Sequence, residues 1–412
     1  MTTKSLLRIL VTVSAFLAMQ SAWTQDGWQE ITDASEPFVD GSGTPRAPSC
    51  SGGPVLDAGG FAVPADHEFS FFFRGGDPAK LAIAFDGGGA CWDGNTCVGS
   101  ALSGDPIYDL VVDESAASLN AVGGIGDRNN RENPLRNHTQ VFIPYCTGDL
   151  HAGSSDTVYP FTAGGVPDMW TIRHRGYDNV LAVLKWVTAY YTEEVGHPPK
   201  ELFLTGASAG GYGVRFAYPA FDASVPSSTR IRVLTDSAAT VINQHFYDTA
   251  VAPGGVWGLQ QNIAPQLASA FASGPDSLGV AINHSLGSFY PRTRFGEYTR
   301  AFDAVQIFYL NVMRNPNAPW RWTDPTRLFF AGLDWTLRAR TNLALSALTT
   351  SNYRFYLARG TGHTILADDR FYSEASAGGI RFVDWVDDMI NRRSAQGGDW
   401  KNASCVPNCL PD

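Results

Sequence analysis

Glu201-Leu202-Phe203-Leu204-Thr205-Gly206-Ala207-Ser208-Ala209-Gly210-Gly211 is the stretch that decides the fold. Its first five residues form a short, mostly apolar run of strand length. Residues 209–218 continue as a helix. Between the two lies G-x-S-x-G, and in a strand–turn–helix setting this pattern is a nucleophile elbow. Gly206 and Gly210 are required because the turn is tight and side chains there would collide with neighbouring backbone. The turn lifts the Ser208 hydroxyl above the sheet. The Ala209 N–H, at the helix start, faces a developing oxyanion. A chance Gly/Ser turn is the bland alternative, and the flanking strand and helix argue against it.

Working outward, strands and helices alternate. Residues 80–86 (KLAIAFD) form a buried strand running into Gly87-Gly88-Gly89. Residues 139–146, 231–235 and 353–358 are further strands. Residues 176–191 are helical, with Val180, Leu181, Val183, Leu184 and Val187 near one face, and 380–392 form a closing helix. This order predicts an α/β-hydrolase-like fold: a mainly parallel sheet with helices on both faces. Residues 26–54, rich in Gly, Pro and Ser, read as an irregular lead-in. Residues 240–345 look less regular and Trp-rich, and are expected to form a cap over the site. There are no repeats, so 23–412 is taken as a single domain after an N-terminal leader.

That leader reads as a signal peptide over 1–22. Lys4 and Arg8 precede an apolar run at 9–19, and Ser21 and Ala22 offer a cleavage site. The run is too short to span a bilayer comfortably, which weighs against an uncleaved anchor. Cleavage removes two positive charges and no acid, taking the net charge from −10 to −12. An acidic chain of this kind is not expected to bind nucleic acid, and no membrane attachment is expected after cleavage. Export to the periplasm or beyond fits six cysteines, an even number suited to disulfides. Local pairs 91–97 and 405–409 would leave Cys50 for Cys146, although six cysteines allow about 15 connectivities. A zinc site fits poorly, because the spacing lacks paired CxxC and interleaved His. With 44% hydrophobic and 17% charged residues, the composition is that of a core-forming globular chain.

A serine nucleophile needs a base and an acid. Of eight histidines, only His363 follows the last strand, where the base of this fold belongs. Asp236, Asp303 and Asp334 all lie between Ser208 and His363 in chain order and compete as the acid. Asp303 also reads as a helix N-cap, since 304–312 could be helical. The glycine cluster at 87–89 is placed to supply oxyanion N–H groups. It is not a phosphate loop, because no GK[ST] follows.

Five patches, in order, resemble the pectin acetylesterase family, which takes in Notum-type carboxylesterases. They are Gly87-Gly88-Gly89-Ala90-Cys91 with Cys97; 144–153 (PYCTGDLHAG); 206–211 (GASAGG); Asp303-Ala304-Val305-Gln306; and His363. The resemblance spans about 80–370. It implies Ser208, Asp303 and His363 as catalytic residues, and Gly88, Gly89 and Ala209 as the oxyanion hole, with no metal or organic cofactor. It further implies a secreted serine carboxylesterase, with an O-acetylated polysaccharide such as pectin as the favoured substrate. A lipid, polyester or protein-lipid carboxylesterase is the alternative enzyme, and a catalytically silent secreted binding protein is the alternative outside enzymes. Three positions depart from the family pattern: Ala207 stands where plant members carry a cysteine, Ala238 where a Gly is usual, and Ala90 where an aromatic is common. The last changes a pocket wall, so acyl-chain preference does not carry over.

Overall fold

The computed structural model describes residues 27–112, 123–163, 166–391 and 400–410. The leader at 1–22 lies outside the described residues. Numbered in chain order, the strands of the main sheet are β1 (Gln29–Ile31), β2 (Phe71–Arg74), β3 (Asp77–Phe85), β4 (His138–Ile143), β5 (Glu201–Ala207), β6 (Arg230–Asp236), β7 (Arg294–Arg300), β8 (Tyr353–Ala358) and β9 (Ala403–Ser404). Their order across the sheet is β1-β2-β4-β3-β5-β6-β7-β8-β9. β2 runs antiparallel to both neighbours, and every other pairing is parallel.

The strand period of two explains the layers. Ile83, Leu204 and Val233 face one helix layer, packing with Val180 and Val183 of α1 (Gly176–Ala189) and Val214 and Ala217 of α2 (Ala209–Ser224). Their chain neighbours Ala82, Phe203 and Leu234 face the other way, onto Phe382, Trp385 and Val386 of the closing helix at Phe382–Ile390. Apolar residues on both faces of each central strand are what a parallel sheet covered on both sides requires. The expected fold class is therefore the observed one.

The 240–345 stretch is more regular than its sequence suggests. It holds helices α3 (Leu278–Phe289), α4 (Ala304–Arg314) and α5 (Pro325–Thr349), and it contains β7, a central strand of the main sheet. β7 escapes a pattern reading because its sequence, RFGEYTR, is charged. Glu297 is nevertheless buried, paired with Arg215 at 3.4 Å and accepting the Tyr353 hydroxyl at 2.7 Å. A buried charge persists in a strand when it is paired and hydrogen-bonded in this way. The lead-in likewise contributes an edge strand, β1. The bonds Cys50–Cys146, Cys91–Cys97 and Cys405–Cys409 are all formed, the pairing expected from sequence.

Candidate active site

Ser208 sits between β5 and α2 with φ +51° and ψ −120°, a left-handed backbone that a serine adopts only under constraint. Its N–H donates to the Asp236 carbonyl at 2.8 Å, and its carbonyl accepts from Gly211 N–H at 3.0 Å. The glycines around it have no room for a side chain. A Cβ on Gly206 would overlap the Gly210 carbonyl, and one on Gly210 would overlap the Phe85 carbonyl at the end of β3. The helix therefore starts hard against the strand ends, which holds Ser208 above the sheet.

The glycine loop after β3 is equally crowded. Gly88 and Gly89 have φ +139° and +75°. A Cβ on Gly88 would overlap the Asp109 carboxylate, and one on Gly89 would strike the Ile107 carbonyl and the Tyr309 hydroxyl. Gly87 lies beside the serine, its notional Cβ 3.0 Å from the Ser208 Cβ. The loop thus brings backbone to Ser208 with nothing projecting between them. The Ala209 N–H opens α2, where helical N–H groups have no intrahelical acceptor. Cys91–Cys97 closes the loop just beyond the glycines.

His363 stands in the loop after β8. Its Nδ1 lies 2.9 Å from each carboxylate oxygen of Asp303, while its Nε2 is buried without a partner. An imidazole that donates from Nδ1 to a carboxylate presents Nε2 as the basic nitrogen. Asp303 is fully buried at the N-cap of α4, and the same carboxylate that caps the helix meets His363. Oδ1 accepts from Val305 N–H at 3.1 Å and Gln306 N–H at 3.0 Å, and Oδ2 accepts from the Gln306 amide at 2.9 Å. Gln306 is itself held by Thr299 at 3.1 Å.

The two rival acids lie elsewhere. Asp334 is on α5 and pairs with Arg314 at 2.5 Å and Arg338 at 3.8 Å. Asp236 is buried at the end of β6, where it holds the histidine loop by its backbone. Its Oδ2 accepts from Ile365 N–H at 2.7 Å and Leu366 N–H at 3.0 Å, and Ser237 Oγ accepts from Thr364 N–H at 3.0 Å. Burial pushes the Asp236 carboxyl up to about 6, against the three donors that face it. The sequence placed Asp236 among the candidate acids but gave no sign of this role, which depends on β6 ending beside the 364–366 loop.

Of the other buried histidines, His138, His151 and His174, the last two lie in or beside the 144–153 patch and serve the fold. His151 contacts the Asp86 carbonyl at 3.0 Å, and His174 contacts the Tyr159 hydroxyl at 2.8 Å and the Thr147 carbonyl at 2.9 Å. Burial lowers both to about 4, leaving them neutral. Asp149, in the 144–153 patch, accepts from Thr147, His151, Gly153 and Gly176 and so fixes that segment to the start of α1. His174 lies near Cys91 and Cys97, but their sulfurs are joined to each other and cannot act as thiolate ligands.

Two cavities meet at Ser208 and His363, with Gly89, Val305 and Tyr309 on the shared wall. The smaller, of about 110 Å³, is walled by apolar side chains that include Ile242, Phe246, Val251, Phe271 and Trp335. The larger, of about 430 Å³, adds Trp28, Asp86, Asp109 and Gln140. The first is oily and small, the second roomier and more polar.

Residues 69–250 match the family described as pectinacetylesterase. None of the curated proteins matches the chain. Among solved structures, the Wnt deacylase Notum from Drosophila is similar in two crystal forms. One has 19% identity and a TM-score of 0.53, covering 84% of this chain and 94% of Notum. The other has 18% identity and a TM-score of 0.55, covering 88% and 95%. The fold is shared along nearly the whole of Notum, an α/β-hydrolase fold, and within it residues 69–250 are similar to the pectinacetylesterases.

Proposed function

We propose that this protein is an exported serine carboxylic ester hydrolase with Ser208, His363 and Asp303 as its catalytic residues. The observation that carries the reading is the His363 imidazole, tied by Nδ1 to buried Asp303 and left bare at Nε2, lining the same cavities as a strained Ser208. Ser208 Oγ attacks the ester carbonyl while His363 Nε2 takes its proton. Asp303 holds the imidazole tautomer and stabilises its charged form. The N–H groups of Gly88, Gly89 and Ala209 receive the oxyanion, each such donor being worth about 3 kcal/mol. The tetrahedral intermediate collapses, His363 returns the proton to the leaving alcohol, and a serine ester remains. Water, deprotonated by His363, then releases the acid and restores Ser208. Every group in this cycle belongs to the chain itself. Three disulfides and the absence of a spanning helix among the described residues support export.

The cavities support the substrate class. An apolar cavity of about 150 Å³ holds a benzene-sized molecule. At about 110 Å³, the smaller cavity suits a short acyl group such as acetyl. The larger and more polar cavity suits the alcohol side, in keeping with an acetylated carbohydrate. Notum is described as a Wnt deacylase, and deacylation of a protein lipid would need a longer acyl site than this one.

The test compares the protein with Ser208→Ala on p-nitrophenyl esters of increasing acyl length, then on acetylated pectin and xylan. Wild type should favour acetyl, and Ser208→Ala should stay folded while losing turnover by about 10⁴ or more. Near-normal turnover by Ser208→Ala would refute the mechanism. A preference for long acyl esters would refute the substrate class alone.

A further inference from the structure

The two faces of α5 differ in what covers them. At about 100° per residue, Ala331, Trp335, Ala339 and Leu343 fall on one side and are buried. Trp335 reaches the wall of the small cavity at Ser208. On the opposite side Phe330, Leu333, Leu337 and Leu348 form a second apolar row, between 56% and 81% exposed, with Phe329 at its edge. Trp320, in the turn before the helix, is 74% exposed. A helix apolar on both sides is normally covered on both. Large exposed apolar patches mark interaction sites.

Charge points to the occupant. The chain is acidic, with a net charge of −10. Over residues 314–349 the balance reverses, with Arg314, Arg321, Arg327, Arg338 and Arg340 against Asp324 and Asp334, a net +3. By the same helical spacing Arg327 lies along one border of the apolar row and Arg340 along the other; Asp334 and Arg338 share the first border, where Asp334 pairs with Arg314 and Arg338, and Arg338 also meets Asp276 at 2.8 Å. An exposed row of Phe and Leu, bordered by arginines and led by a Trp, has the composition of helices that lie in a bilayer interface. Two copies of the chain meeting through this face would bring like-charged patches together, which disfavours self-association.

We infer that α5 and the turn before it dock this protein onto an anionic lipid surface, with the Phe330–Leu333–Leu337 row inserted among the acyl chains and the arginines at the headgroups. This runs against the sequence expectation of no membrane attachment after cleavage. It concerns where the protein sits rather than which bond it cleaves, so it stands or falls independently of Ser208.

The experiment is co-sedimentation of the processed protein with vesicles of phosphatidylcholine alone or mixed with phosphatidylglycerol. Three proteins are compared: wild type, Phe330→Ser/Leu333→Ser/Leu337→Ser, and Arg321→Gln/Arg327→Gln. Melting temperature and hydrolysis of soluble p-nitrophenyl acetate report on fold and site. Wild type should bind the mixed vesicles about tenfold more tightly than phosphatidylcholine alone. The apolar variant should lose binding by about tenfold or more with turnover unchanged. The arginine variant should lose the preference for the anionic lipid. Failure of wild type to bind mixed vesicles, or equal binding by the apolar variant, overturns the inference. A wild-type dimer that the apolar variant splits, without vesicle binding, also overturns it and assigns the face to a second copy.

Discussion

Asp303 carries two duties in one carboxylate, and they can be separated. As the N-cap of α4 it accepts from Val305 and Gln306 N–H groups, and as the partner of His363 it faces Nδ1. Asparagine is as good an N-cap as aspartate. Asp303→Asn should therefore keep its stability within about 1 kcal/mol, yet lose up to about 10⁴ in turnover because the amide cannot enforce the tautomer. Asp334→Asn, which touches only exposed Arg314 and half-buried Arg338, should leave turnover unchanged. Measuring both variants for turnover and melting temperature checks this, and an inactive Asp334→Asn beside an active Asp303→Asn would reverse the assignment. The Asp303 segment was legible because D-x-x-Q is a motif. The duty of Asp236 was not, because it depends on a loop 129 residues further along the chain. In the folded protein the Asp236 carboxyl titrates at about 6, while the unfolded value is 3.8. Between these values the folded state holds the proton that the unfolded state has released, so this residue makes stability fall as pH rises through the window. Asn at this position lacks the titration but keeps an oxygen for Ile365 and Leu366 N–H. The melting temperature of Asp236→Asn relative to wild type should therefore rise between about pH 4 and pH 6. A difference that is flat or falling across that range would count against a raised Asp236.

At the scale of elements, β3, β4, β5, β6 and β8 were readable because apolar runs of strand length are bounded by turn residues. α2 runs six residues past its expected end at 218, through Pro219, which remains buried inside the helix. β7 was hidden by Glu297, whose partners Arg215 and Tyr353 come from distant elements. The junction of α2 with β3 is tight. A Cβ on Gly210 would meet the carbonyls of Phe85 and Asp86, which are backbone and cannot swing aside. Gly210→Ala must push α2 away from β3, carrying Ser208 from the glycine loop. It should cost about 1–3 kcal/mol of stability and more than 100-fold in turnover, on the order of the loss of an oxyanion donor. Gly332, inside α5, gives the opposite case. Its nearest neighbour would be Ile307 at 3.5 Å, an ordinary contact. Gly332→Ala should stabilise the protein by roughly 0.5–1 kcal/mol with turnover unchanged, since a glycine inside a helix costs about that much relative to alanine. Denaturant melts and p-nitrophenyl acetate turnover on both variants test the pair together.

Across the whole molecule, the sheet gathers residues far apart in sequence at one edge. β3 delivers the glycine loop, β5 the serine, β7 the helix capped by Asp303, and β8 the histidine, all at the carboxyl ends of parallel strands. The disulfides act on this arrangement over different distances. Cys50–Cys146 closes a separation of 96 residues and ties the lead-in to the segment after β4, whereas Cys405–Cys409 closes a separation of 4 near the C-terminus. On the chain-entropy account, a loop of about 100 residues contributes about 4.7 kcal/mol and one of about 5 residues roughly 2 kcal/mol. Cys50 and Cys146 are also fully buried, so replacing them disturbs packing as well. The paired variant Cys50→Ser/Cys146→Ser should therefore lower the melting temperature far more than Cys405→Ser/Cys409→Ser. Cys91→Ser/Cys97→Ser should behave differently again. Its cysteines are as buried as Cys50 and Cys146, so packing is disturbed too, but its separation of 6 makes the entropic loss small and the loop it closes adjoins Gly88 and Gly89. That variant should lose turnover out of proportion to its stability, through a looser oxyanion loop. Melting temperature and turnover measured on all three double variants separate these effects. If Cys91→Ser/Cys97→Ser keeps full turnover, the bond has no part in holding the backbone that faces Ser208.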